Sequence, residues 1–272
     1  MQFANLNGVT LHYALTGDPR RRPLIALANS LGTDLRMWDE VIARLSAGYA
    51  LLRFDVRGHG LSGTGTPPYR IADHAADLGA LIRHVGARRA MLCGVSMGGQ
   101  IALALAAGQP GLISGLMLAD TADRIGDDAF WNARIAAIEK GALSSIVDPI
   151  MERWFSPAFR TADNPAYAGY RTMFCRQPVD GYIGSCIAVR DATLTDAARH
   201  IRVPTICVVG EQDASTPPAL VRALADLVSG ARYATIPNAG HLACVEQPEA
   251  FAELLHEFAA GLVTESMSHV GS

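Results

Sequence analysis

Six short apolar runs constrain this chain more than any other feature: Leu24–Ala28, Ala50–Phe54, Ala90–Val95, Leu116–Ala119, Thr205–Val209 and Ala231–Ile236. Runs of this length read as strands buried on both faces. Helical patterns lie between them. Ile71, Ala75, Leu78, Ile82 and Val85 share one face, while Asp73, His74, Asp77, Arg83 and His84 fall elsewhere. Strands alternating with helices predict a mostly parallel sheet covered on both sides, an α/β fold. Two further strands, Gln2–Leu6 and Val9–Leu15, flank Asn7-Gly8 and are expected to form an antiparallel hairpin, which brings the sheet to eight strands.

Met97–Ala107 is apolar nearly all round, so it is expected as a central, buried helix. Phe251, Leu254, Leu255 and Phe258 form the inner face of a last helix that begins after Pro248. From about Asp123 to His200 the strand signal disappears. That stretch holds Trp131, Trp154, many arginines and helical patterns at Ala129–Lys140 and Ser145–Phe155. It reads as a helical insertion capping the strand ends. The expected organisation is a core in two parts, 1–122 and 201–262, a helical cap over 123–200, and a flexible polar tail over 263–272.

With 272 residues, half of them hydrophobic, the chain can bury one sizeable core. A net charge of −3 and the lack of a basic block argue against nucleic acid, and there is no polybasic helix for a membrane surface. The N-terminal residues carry no signal-peptide pattern, and no apolar run reaches bilayer length. The five cysteines are scattered without a C-x-x-C pair, so reduced thiols and a cytoplasmic location are expected.

The chemistry concentrates at Gly94-Val95-Ser96-Met97-Gly98, where a strand ends and a helix begins. A serine there sits in a strained turn that lifts its hydroxyl above the sheet, and a side chain at Gly94 or Gly98 would collide with the neighbouring strand or helix. A serine hydroxyl needs a base. His241 follows the sixth apolar run in Pro237-Asn238-Ala239-Gly240-His241, at the same sheet edge. His59, in Asp55-Val56-Arg57-Gly58-His59-Gly60, reads as part of a structural turn. The carboxylate to orient the base is assigned to Asp213, in Gly210-Glu211-Gln212-Asp213 directly after the fifth run, with Asp120 as its competitor. The chain order is then Ser, Asp, His. Two backbone N–H groups, of Met97 and of Leu31 in Asn29-Ser30-Leu31-Gly32, are the expected oxyanion donors.

Gly-x-Ser-x-Gly, Asp-x-Arg-Gly-His-Gly, Gly-Glu-x-Asp and Gly-His, in that order, resemble the α/β-hydrolase family over roughly residues 3–261. Asn29-Ser30 stands where many relatives carry His-Gly. Serine rather than aspartate at position 96 argues against the haloalkane dehalogenases and epoxide hydrolases of the fold. The opening Asn7–Tyr13, the segment Asn29–Trp38, and the cap segments Trp131–Ile135, Arg153–Phe159 and Gly181–Asp191 resemble the 3-oxoadipate enol-lactonases. That resemblance implies hydrolysis of 3-oxoadipate enol-lactone to 3-oxoadipate in the β-ketoadipate branch of aromatic catabolism, with no metal or organic cofactor. The implied substrate is a small acidic lactone, so a cationic or amide partner for its carboxylate is expected. Arg134 and Trp154 are the candidates, although surface ion pairing and cap anchoring would equally account for them. A broad carboxylesterase, a C–C bond hydrolase and a slow-turnover receptor remain alternatives, and the oligomeric state is open.

Overall fold

The computed structural model describes residues 1–45 and 48–268. Its strands are β1 (Gln2–Leu6), β2 (Val9–Thr16), β3 (Leu24–Ala28), β4 (Ala50–Phe54), β5 (Ala90–Val95), β6 (Ile113–Ala119), β7 (Thr205–Gly210) and β8 (Arg232–Ile236). They form one eight-stranded sheet in the order β1-β2-β4-β3-β5-β6-β7-β8. The β1–β2 and β2–β4 pairs are antiparallel and all later pairs are parallel. At the hairpin, Asn7 and Gly8 both take positive φ (50° and 76°), as a two-residue turn matched to the strand twist requires. Strands β3, β5 and β7 are buried along their whole length.

Strand β6 begins three residues before the apolar run at Leu116–Ala119, at Ile113. Ser114 and Gly115 are weak strand formers, so the sequence conceals them. Gly115 has a packing reason: a Cβ there would lie 2.5 Å from Leu262 of the last helix.

Helices α1 (Asp39–Arg44), α2 (Ile71–His84) and α3 (Met97–Gly108) precede β6. Between β6 and β7 come α4 (Asp128–Gly141), α5 (Val147–Trp154), α6 (Pro165–Cys175), α7 (Val179–Arg190) and α8 (Thr195–Arg199). Helices α9 (Pro218–Leu227), α10 (Ala243–Glu246) and α11 (Pro248–Ser268) complete the chain. Helix α3 packs on β3, β5 and β6 and against α2, while α11 packs on β6 and against α1. Helix α4 stops because Ala142 turns to φ 60°, and a short 3-10 turn at Leu143–Ile146 precedes α5. The pattern over Ser145–Phe155 is therefore divided. Helix α11 runs to Ser268, since residues 262–268 hold neither glycine nor proline to stop it. The remainder of the polar tail lies outside the described residues. Among the described residues, no helix is long and apolar enough to cross a membrane.

Helix α7 crosses the core by a glycine–glycine contact. A Cβ on Gly181 would lie 2.4 Å from the Cα of Gly58. Two buried histidines lie beneath it. His59 Nε2 accepts the Gly32 N–H at 3.0 Å, and His74 Nε2 meets Ser185 Oγ at 3.4 Å. Burial pushes His59 from 6.5 down to about 4 and His74 to about 3. The unfolded chain binds protons at both groups near the ordinary value, whereas the folded chain refuses them. Stability is therefore expected to fall as pH drops below about 6.5 and to keep falling towards the folded values, by about 1.4 kcal/mol per pH unit per histidine. Urea midpoints between pH 7 and 5 measure this. His59→Gln should reduce proton uptake on unfolding by about one, and an unchanged slope would mean that His59 is not held neutral.

Candidate active site

Ser96 joins β5 to α3 with φ 58° and ψ −119°. Few side chains accept that conformation, so the surroundings must enforce it. The Ser96 N–H donates to Ala119 O at 3.0 Å, and its carbonyl accepts from Gly99 N–H at 2.9 Å and Thr121 Oγ1 at 2.7 Å. The flanking glycines permit the approach. A Cβ on Gly94 would lie 2.2 Å from Gly98 O, and one on Gly98 would lie 2.1 Å from Ala28 O. Gly98→Ala is thus expected to cost about 3 kcal/mol or more, because the obstacle is backbone and cannot rotate away. Urea unfolding tests this, and a loss below about 1 kcal/mol would show that the loop after β3 yields freely.

Ser96 opens onto a cavity of about 250 Å³, whose wall also includes Leu31, Met97, His241, Trp154 and Arg134. All of the expected site residues except Asp213 therefore line one cavity. Met97 is the first residue of α3, so its N–H lies outside the helical ladder and at the positive end of the helix. Among the described residues, neither the Leu31 nor the Met97 N–H has an acceptor. The loop bearing Leu31 is tied down on both sides. Gly32 bonds His59 as above, Asn29 Nδ2 donates to Phe54 O at 2.8 Å, and Trp38 Nε1 donates to Asn29 Oδ1 at 2.8 Å. Asn29 thus acts as a loop anchor.

His241 Nδ1 donates to Asp213 Oδ2 at 2.9 Å, with both side chains buried. Thr216 Oγ1 donates to the same oxygen at 2.6 Å, while Ser215 N–H and Thr216 N–H donate to Oδ1 at 2.7 and 3.0 Å. Burial raises the Asp213 pKa, but His241 and the Thr216 donors outweigh it, and the net direction is down. Asp213 is therefore held as carboxylate, and His241 keeps Nε2 free to act on the cavity side. The two loops can approach because a Cβ on Gly210 would lie only 2.1 Å from Gly240 O.

Asp120 stands at the end of β6 with φ 46° and accepts the Gly210 N–H on Oδ1 at 2.7 Å. It forms no hydrogen bond to His241 among the described residues. Its Oδ2 is buried and has no donor among the described residues. Burial, and next the charge of Asp213, push its pKa well up, which favours a neutral acid.

The insertion between β6 and β7 is fastened to the loop that bears His241. Glu246 accepts the Gly240 N–H at 2.7 Å, the Ser156 N–H at 3.1 Å and the Ser156 hydroxyl at 2.5 Å, and Leu242 N–H donates to Trp154 O at 3.1 Å. Trp154 packs edge-on against Phe174 of α6 with ring centres 5.7 Å apart, so its ring joins two helices of the insertion and also lines the cavity. Sequence reasoning missed Arg153, which also lines the cavity. Its only local signal is its adjacency to Trp154. Among the described residues, no group of three or more His, Cys, Asp or Glu side chains is arranged to hold a metal ion.

A 3-oxoadipate enol-lactonase from Acinetobacter baylyi is 34% identical over 244 residues, covering 89% of this chain and 90% of the relative. A pimeloyl-[acyl-carrier protein] methyl ester esterase from Neisseria meningitidis is 28% identical over 260 residues, covering 87% of this chain and 93% of the relative. The crystal structure of an enol-lactonase from Burkholderia xenovorans superimposes with a TM-score of 0.92 at 35% identity, over 95% of this chain and all of the other. The model of the alpha/beta hydrolase family matches residues 20–254, and the chain belongs to that family.

Proposed function

We propose that this hydrolase opens 3-oxoadipate enol-lactone to 3-oxoadipate, with Ser96 as nucleophile, His241 as general base and Asp213 as its orienting carboxylate. The observation that carries the reading is the buried Asp213–His241 pair beside Ser96 on one small cavity with arginine in its wall. A cavity of about 250 Å³ suits a small ring better than a long acyl chain. The similarity to named enol-lactonases supports the same substrate.

In this mechanism Ser96 Oγ attacks the lactone carbonyl as His241 Nε2 takes its proton. Asp213 stabilises the imidazolium, and the N–H groups of Leu31 and Met97 stabilise the oxyanion. The ring C–O bond then breaks. The departing enolate oxygen, still tethered through the acyl chain, takes the proton from His241, and the resulting enol becomes the ketone. Water attacks the acyl-enzyme while His241 removes its proton, and the product leaves with Ser96 restored. Arg134 and Trp154 are assigned to the substrate's carboxylate end. The core lies in 1–122 and 201–262, with 123–200 as the cap above it.

The test is the decay of freshly generated enol-lactone, measured beside that of a simple aryl ester. Fast lactone decay supports the reading. Aryl-ester turnover without lactone turnover would keep the three-residue machinery, favour the esterase reading that the Neisseria relative suggests, and remove the lactone.

A further inference from the structure

Strand β6 brings to the site a second carboxyl group for which the mechanism has no use. Asp120 is fully buried, and its backbone is held in the left-handed region, φ 46°, while its N–H donates to Val208 O at 2.8 Å. Its Oδ1 accepts the Gly210 N–H, which leaves the buried Oδ2 bare among the described residues. A buried polar oxygen without a partner is costly. The carboxyl group of Asp213 lies within hydrogen-bond reach of it. Two carboxylates in contact are both acceptors, and no bond joins them unless one carries a proton.

The groups around the pair decide where that proton sits. Asp120 faces Glu246 of α10 and the thiols of Cys93 on β5 and Cys244 on α10, none of them a cation. Asp213 faces His241, and Arg153 of α5 feels its charge. The two oxygens of Asp213 also accept from His241 Nδ1, Thr216 Oγ1 and the N–H groups of Ser215 and Thr216. Donors and cations favour an ionised carboxyl group, whereas burial and a like charge favour a neutral one. Two ionised carboxylates touching in a buried site repel too strongly for both to persist. The proton therefore belongs to Asp120 Oδ2.

We propose that Asp120 is a positioning residue that keeps a proton on Oδ2 at neutral pH and donates it to the Asp213 carboxylate, so that the two groups share one negative charge. This rests on the reading of Asp213 as the carboxylate behind His241, but not on the choice of lactone. A donor on Asp213 weakens its pull on the imidazolium. His241 then stays neutral, and ready as a base, down to a lower pH than a bare carboxylate partner would allow.

Infrared spectroscopy at pH 7, with isotope-labelled aspartate to mark the carboxyl bands, tests the proton without requiring turnover. Wild-type protein is expected to show the carbonyl band of a protonated aspartate, and Asp120→Asn to lack it. The acid limb of kcat/KM against pH, measured on whichever of the lactone or the aryl ester is turned over, tests the role. Asp120→Leu removes the donor and should move that limb up by about 0.5–1 pH unit, whereas Asp120→Asn restores a donor through its NH₂ and should leave it within about 0.3 unit. A merely structural role would lower rate or stability without moving the limb. A wild-type spectrum without the band, a band that survives in Asp120→Asn, or limbs that coincide in all three proteins would overturn the proposal. The infrared comparison does not depend on the leucine variant folding. A greater loss of kcat in Asp120→Asn than in Asp213→Asn would instead sink the reading of Asp213, whereas a missing band beside the expected ranking would sink only the Asp120 proton.

Discussion

Ser96→Ala is expected to lower kcat for the enol-lactone by about 10⁴-fold or more while leaving the melting temperature nearly unchanged. The substitution removes one oxygen and no backbone bond. The bonds that hold the turn, from Ser96 N–H to Ala119 and from Gly99 and Thr121 to the Ser96 carbonyl, are all made by main-chain atoms of residue 96. Alanine inherits them together with the unusual φ and ψ. The free N–H groups of Leu31 and Met97 also survive, so a small residual rate above solution is expected. Stopped-flow absorbance of the lactone, with calorimetric melting of both proteins, checks the two halves together. A variant that kept near-normal turnover would remove Ser96 from the mechanism.

The second large effect belongs to Asp213→Asn, with an expected loss of about 10³–10⁴ in kcat. Its severity follows from the donors around the carboxylate. The N–H groups of Ser215 and Thr216 both point at Oδ1. In the asparagine they hold the amide oxygen there and turn its NH₂ towards His241. The imidazole must then accept on Nδ1, which leaves its proton on Nε2, the nitrogen needed as base. Asp120→Asn should cost less than about tenfold in kcat. Its amide oxygen can keep the Gly210 bond, and its NH₂ can stand in for the protonated oxygen that burial and Asp213 already favour. Rates for the two variants at one pH decide the matter, and the reverse ranking would move the orienting role to Asp120.

Much of this architecture could be read from residue order because parallel strands buried on both faces are short and uniformly apolar. The runs at Leu24–Ala28 and Ala90–Val95 coincide with β3 and β5 to the residue. The site was legible for a related reason: strand ends converge on one sheet edge, so a serine, an aspartate and a histidine placed just after strands are brought to the same rim. What escaped depended on contacts distant in sequence. The start of β6 is set by the packing of α11 on Gly115, and nothing local to Ser114-Gly115 announces a strand. The tight approach at Gly99, where a Cβ would lie 2.5 Å from Thr121 Cγ2, involves a loop from the other side of β6. Arg153 looked like one surface arginine among many, because its place on the cavity wall exists only in three dimensions.

The bonds that Glu246 makes to Gly240 and Ser156 have a consequence for how a substrate enters. A cover hinged at Ser156 would drag the backbone next to His241 with it and spoil the imidazole's aim each time it opened. Any opening for entry is therefore expected farther along the insertion, away from the bonds of Glu246 to Gly240 and Ser156. Substitutions at that outer end are therefore expected to leave the His241 loop in place, and the anchored end is where they should be least tolerated.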